Sequence, residues 1–218
     1  MKTLAAVLNK GAHFGTVKMK ADSPEYIPSG AQAVSYFQDI VHQWHAVQPA
    51  LHWESVLHIF PEWSNPESLA SRIQNLGLVN CFQWHLEDEC RVNYTAPLVL
   101  AKLKHDIDLS NHRRVRQIDA IDDEFIVHLR NPGLEDRSAR LALTTPGNLM
   151  DRLSILVLKR YHARGVDPEK LASGLQTVML LEEQITDLCT GIDEFIQDLR
   201  DGRLCLKVYR TVKLYGST

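Results

Sequence analysis

The sequence predicts an all-α protein, an antiparallel bundle of four to five main helices with an irregular N-terminal extension and a basic C-terminal tail. Three observations predict it. Apolar residues recur three or four apart in at least four long segments, which is the spacing of one helix face. Pro- and Gly-containing punctuation separates those segments. There is neither βαβ alternation nor an internal repeat of fixed period.

Residues 1–29 carry Gly11, Gly15, Pro24 and Pro28 with little periodicity, and read as a loosely attached extension. Val34, Phe37, Val41 and Trp44 form the first helical stripe, which Pro49 ends. Residues 50–66, with His52, Trp53, His58 and Trp63, read as a short irregular connection. A helix is expected from about Pro66 to Tyr94. Its middle, LGLVNCF, is apolar on nearly every side and predicts burial all round. Thr95 is placed to cap the next helix, with Pro97 in its first turn. That helix shows the stripe Leu100, Leu103, Ile107, Asn111, Arg114, Ile118, Ile121 and Phe125, and Asn131-Pro132-Gly133 stops it. Residues 131–144 read as a charged loop. Thr145-Pro146-Gly147 opens an apolar helix that ends near Gly165. Asp167-Pro168 starts the last one. Its stripe runs Leu171, Leu175, Val178, Leu181, Ile185, Leu188, Ile192, Phe195 and Leu199, a bundle or coiled-coil seam that Gly202 ends. Residues 30–202 are thus expected to form one bundle domain, followed by a tail over 203–218.

Composition bounds the function. The chain has 218 residues, 44% hydrophobic and 23% charged, which fits one globular domain with extensions and excludes global disorder. Lys and Arg number 24 against 27 Asp and Glu, so the net charge is −3; a general nucleic-acid binder is usually more basic. The N-terminal stretch LAAVL is shorter than a signal-peptide core, and no run approaches the roughly 20 apolar residues of a membrane span. Cys81, Cys90, Cys189 and Cys205 include no C-x-x-C pair. On one helix Cys81 and Cys90 stand about 13 Å apart, too far for a disulfide. Free thiols in a reducing cytoplasm are the expectation, and the spacing does not suit a cysteine zinc site.

Polar residues stand where the periodicity asks for core. Asn111 and Arg114 interrupt an apolar stripe, and Asp108 borders the same face. An unpaired buried guanidinium costs several kcal/mol, roughly, so Arg114 has to meet a carboxylate, a phosphate or water. A register-fixing buried network and a polar ligand pocket both satisfy that demand. In Trp84-His85-Leu86-Glu87-Asp88, His85 and Asp88 share a face and form a candidate metal pair, or a general base with its orienting acid. Glu87 and Arg91 have the spacing of an intrahelical ion pair. Trp44-His45 repeats the Trp-His pair, which can bring His45 to the same cavity. Thr145-Pro146-Gly147-Asn148, with Asp151 and Arg152 behind it, opens a helix whose N-terminal amides suit an anion; Asp151 is alternatively the partner of Arg114. In the tail, Arg203, Lys207, Arg210 and Lys213 would share one face of a helix, with Tyr209 and Tyr215 among them. Such a face can hold a phosphate, an anionic partner or a membrane surface, or the tail can dock its apolar side and solvate its charges.

The strings LVNCFQWHLEDECR, DLSNHRRVRQIDAID, TTPGNLMDRLSILVLKRYH and VYRTVKLYG, in this order, resemble a bacterial domain-of-unknown-function family catalogued as 4254, from about Val34 to Gly216. The matching motif positions are Trp84, His85, Glu87 and Asp88 in the first string and Asp108, Asn111 and Arg114 in the second. The third supplies Pro146, Gly147, Asp151 and Arg152, and the last Tyr209, Arg210 and Lys213. Where the family usually shows Asn-Asp after its arginine, this chain has Val115-Arg116. The resemblance implies no established activity. Members of that family are sometimes encoded beside glycosyltransferases, so the resemblance implies, by association alone, a link to nucleotide-sugar or cell-surface glycan chemistry.

Two function classes follow. In the first, His85, Asp88, Asp108, Asn111, Arg114, Asp151 and Arg152 line one intra-bundle site for a phosphorylated or otherwise anionic small molecule, with a divalent metal as the candidate cofactor, His85 and Asp88 as the candidate catalytic pair, and Arg210 and Lys213 as anion contacts in the tail. In the second, the protein is a non-catalytic scaffold whose last helix dimerises or docks a protein partner. The residues alone name no reaction, and the Glu-x-x-Glu spacing of all-α pyrophosphatases is absent.

Overall fold

In a computed structural model of the chain, the described residues are 26–64, 66–129, 139–165 and 171–209. Among the described residues, seven helices pack together beside one two-stranded sheet. Five helices are long: α1 (Gly30–Val47), α4 (Leu69–Val92), α5 (Pro97–Leu129), α6 (Pro146–Arg164) and α7 (Leu171–Arg200). Two short ones, α2 (Trp53–Ile59) and α3 (Pro61–Ser64), occupy the connection read as irregular.

Local chemistry sets most of the ends. Ser29 caps α1 in a reciprocal capping box with Gln32, and Ser68 does the same for α4 with Ser71. Helix α1 stops at Gln48, in the left-handed region at φ 49°, immediately before Pro49. Thr145 caps α6 by accepting from the Asn148 amide, with Pro146 at the first helical position. Thr95 does not cap α5. That helix starts at Pro97, whose fixed φ and missing N–H suit the first position, so Ala96 precedes it and Thr95 falls one residue too early. The punctuation at 131–133 and 167–168, like residues 1–25, lies outside the described residues.

The core runs along α4. Leu76 through Phe82 are all buried, as the all-round apolar run predicts. α4 packs against α5, α1, α6 and α3, while α7 covers α6 and part of α1. One apolar cluster joins Phe37, Ile73, Leu76, Ile121, Phe125, Met150, Leu153, Ile192 and Leu199. A second joins Ile40, Trp44, Phe60, Leu78, Phe82, Leu86, Ile107 and Leu158. Among its described side chains, the seam of α7 is buried at Leu181, Ile185, Ile192 and Leu199, whereas Leu175 is 55% exposed.

Two departures concern segments read as loop and tail. Arg140–Leu141 (β1) pairs in parallel with Leu204–Cys205 (β2), and Cys205 and Leu206 are buried. The start of the expected tail is therefore a strand packed on the bundle rather than a helix with a basic face. Apolar Leu204, Cys205 and Leu206 gain burial there, while Arg203 turns outward to Asp198 and Asp201 at 2.6 Å each.

Candidate functional site

The polar residues of the bundle collect in two adjoining places. The first lies between α4, α5 and α6. Arg114 donates from Nε to Asp151 Oδ1 at 2.7 Å and from Nη2 to Asp151 Oδ2 at 2.5 Å, a bidentate pair. Asn80 Nδ2 donates to the same Asp151 Oδ1 at 3.0 Å and to Ser154 Oγ at 2.6 Å. Ser154 in turn donates to the Asp151 carbonyl. These bonds to Asp151 raise the pKa of the Arg114 guanidinium, against the effect of burial. Alongside, Gln83 donates to Asn111 Oδ1 at 2.9 Å.

This network walls a pocket of about 130 Å³. Asn80, Gln83, Trp84, Glu87 and Arg91 line it from α4, Arg114 from α5 and Ile155 from α6. Two of its lining groups are unusual. Gln83 Oε1, an acceptor, and Trp84 Nε1, a donor, are buried and have no hydrogen-bond partner among the described residues.

The second place is a histidine cluster among α1, α4 and α6. His45, His85 and His162 have ring centroids 5.0–5.6 Å apart, and one ring nitrogen from each lies within 4.8 Å of the others. His85 Nδ1 meets the Cys81 carbonyl and His45 Nδ1 the Val41 carbonyl, both at 2.7 Å. Burial lowers the pKa of both His85 and His162, the latter to about 4, with His45 pushing the same way. Both rings therefore favour the neutral imidazole. Burial also pushes the neighbouring Cys81 thiol well up, so it stays protonated. Trp84 stacks on His162 at 5.0 Å and 12°, and so forms a common wall of the pocket and the cluster.

The seven residues expected to line one site divide. Arg114 and Asp151 meet, with Asn111 bonded to the pocket-lining Gln83. His85 belongs to the adjoining cluster. Asp88 stands near it but pairs with Arg91, and so takes the partner expected for Glu87. Asp108 faces solvent and pairs with Lys104 at 3.2 Å. The 3–4 spacing gave it the border of the Asn111 face, and on α5 that border lies outside the bundle. Arg152 is exposed, about 100° around α6 from the buried Asp151. The Gly147 amide is taken by Asp122 Oδ1 at 2.7 Å, so a side chain of α5 already fills the anion role at this helix start. Arg210 and Lys213 lie outside the described residues. Sequence reasoning missed Asn80, Gln83 and Ser154 in the first place and His162 in the second. For Ser154 and His162 the signal was spacing: with Asp151 and Leu158 they continue one face of α6.

The fold and site define an all-α helical protein that carries polar groups between its helices. The chain belongs to the family described as "Protein of unknown function (DUF4254)", whose family model matches residues 70–208. That span includes His85, Arg114, Asp151 and His162, and leaves His45 outside it. No curated protein and no solved structure matches the chain. Among the described residues no helix is long and apolar enough to cross a membrane.

Proposed function

We propose that the protein binds a small anionic ligand, of the phosphate class, in the pocket between α4, α5 and α6. One observation carries the reading: two arginines, Arg91 and Arg114, line with Glu87 a pocket whose lining residues Gln83 and Trp84 each keep a buried polar atom, Oε1 and Nε1, without a hydrogen-bond partner among the described residues. Asp151 holds the Arg114 head in place through Nε and Nη2, which presets its orientation for a ligand. Leaving Gln83 Oε1 and Trp84 Nε1 unsatisfied costs about 1–3 kcal/mol each, which a ligand with a hydroxyl and an anionic oxygen would offset. A volume of about 130 Å³ admits a phosphate-sized head group. A nucleotide sugar would place its remaining bulk over the mouth.

Isothermal titration calorimetry with inorganic phosphate and pyrophosphate, in metal-free buffer, tests this. Saturable binding by the parent is expected, weakened in Arg91→Ala, whose exposed side chain can be removed without loss of fold. A parent that binds neither anion overturns the reading.

The scaffold alternative finds less room. From Leu181 onward the α7 seam packs into the chain's own core, and the large apolar side chains of α7 that are exposed among the described residues are Leu175, Met179 and Leu180.

A further inference from the structure

We propose that His45, His85 and His162 form a binding site for a borderline divalent cation such as zinc, independent of the anion pocket beside them. The argument starts from protons. A backbone carbonyl only accepts, so Nδ1 of His45 and of His85 must each carry the hydrogen that reaches Val41 and Cys81 at 2.7 Å. In neutral rings each Nε2 is then a lone pair. Those two Nε2 atoms face each other at 3.3 Å. Two lone pairs at that distance repel unless a proton or a cation lies between them.

The third ring supplies the remaining observation. His162 Nε2 is buried and has no hydrogen-bond partner among the described residues. With metal–nitrogen bonds of about 2.0–2.1 Å in a tetrahedron, the nitrogen–nitrogen edge is about 3.3–3.4 Å, the separation that His45 and His85 already have. The ligating nitrogens of all three rings fall within 4.8 Å, so a small inward shift of His162 completes three corners.

The surroundings resemble those of metal-binding imidazoles. The Nδ1–carbonyl bonds of His45 and His85 fix tautomer and ring direction, the usual outer support for an Nε2 ligand. Trp44 stacks on His85 at 5.1 Å and Trp84 on His162 at 5.0 Å, which holds both rings. Three imidazoles without a carboxylate suit zinc, cobalt, nickel or copper and not magnesium or calcium. Three protein ligands leave a fourth position open, the arrangement in which zinc binds and acidifies a water.

The test is cobalt and zinc titration of chelator-treated protein. The expected result is one cobalt per chain with the intense visible absorption of a tetrahedral complex, displaced by zinc and untouched by excess magnesium. His45→Gln, His85→Gln and His162→Gln should each weaken binding by about 100-fold, and exposed His112→Ala should leave it unchanged. Should a variant fail to fold, imidazole NMR of the parent decides instead, because zinc must then shift three ring systems in slow exchange. A parent with no saturable site overturns the proposal, as does binding that survives all three substitutions or spares the three rings. Arg91→Ala is expected to keep full cobalt affinity, so the two sites stand or fall separately.

Discussion

Asp122, buried on α5, accepts the backbone N–H of Gly147 at 2.7 Å in the first turn of α6. The glycine makes the approach feasible. A Cβ at position 147 would lie 2.4 Å from the Ile118 carbonyl oxygen and 2.9 Å from Asp122 Oδ1. The same device recurs at α1, where the Gly30 amide donates to Asp193 on α7 at 2.8 Å and a Cβ would meet the Cys189 backbone at 2.6 Å. A carboxylate at a helix start satisfies an orphan amide and opposes the positive end of the helix dipole.

Gly147→Ala is therefore expected to destabilise the protein by about 1–3 kcal/mol, as overpacking does, although alanine is the better helix former. Urea unfolding followed by circular dichroism measures it. Unchanged or increased stability would show that α5 and α6 can separate here at no cost.

The Arg114–Asp151 pair is half in water on one side: the arginine side chain is 32% exposed and the aspartate 11%. Removing only the cation leaves Asp151 with Asn80 as its partner, so Arg114→Met should cost about 1–3 kcal/mol, below the range for a sealed pair. The double variant Arg114→Met/Asp151→Leu should recover part of that loss. A double-mutant cycle in urea yields the coupling, and a coupling near zero would mean the bidentate contact adds nothing to the fold.

The last helix separates structural from free positions. Ile185→Ala should cost about 2–5 kcal/mol and Leu175→Ala close to nothing, because Ile185 is 5% exposed and Leu175 55%. Thermal unfolding of both variants checks the contrast. Equal losses would place Leu175 in an interface that forms in solution.

Much of this architecture was legible along the chain. The apolar run around Leu76–Phe82 announced a buried helix, Pro49 and Thr145-Pro146 marked an end and a start, and the interruption at Arg114 demanded a carboxylate, a phosphate or water, which the structure supplies as Asp151. Local rules sufficed because helix periodicity and capping involve residues within four positions of each other. They failed where two neighbours competed for one partner. Arg91 chose Asp88 over Glu87, and α5 began at Pro97 and not at Thr95's cap.

By itself, the sequence determined which helix faces are apolar and where polar residues interrupt them: periodicity assigns each side chain a position around its helix, and the place of Arg114 in the α5 stripe follows from that. Only the tertiary structure decided what the polar residues meet. His45, His85 and His162 stand on three helices, and their convergence depends on how α1, α4 and α6 cross and rotate against one another. The same packing turned Asp108 and Arg152 outward and gave the Gly147 amide to Asp122. Crossing and rotation are set by the fit of whole apolar faces across the bundle, so they cannot be read from any one segment.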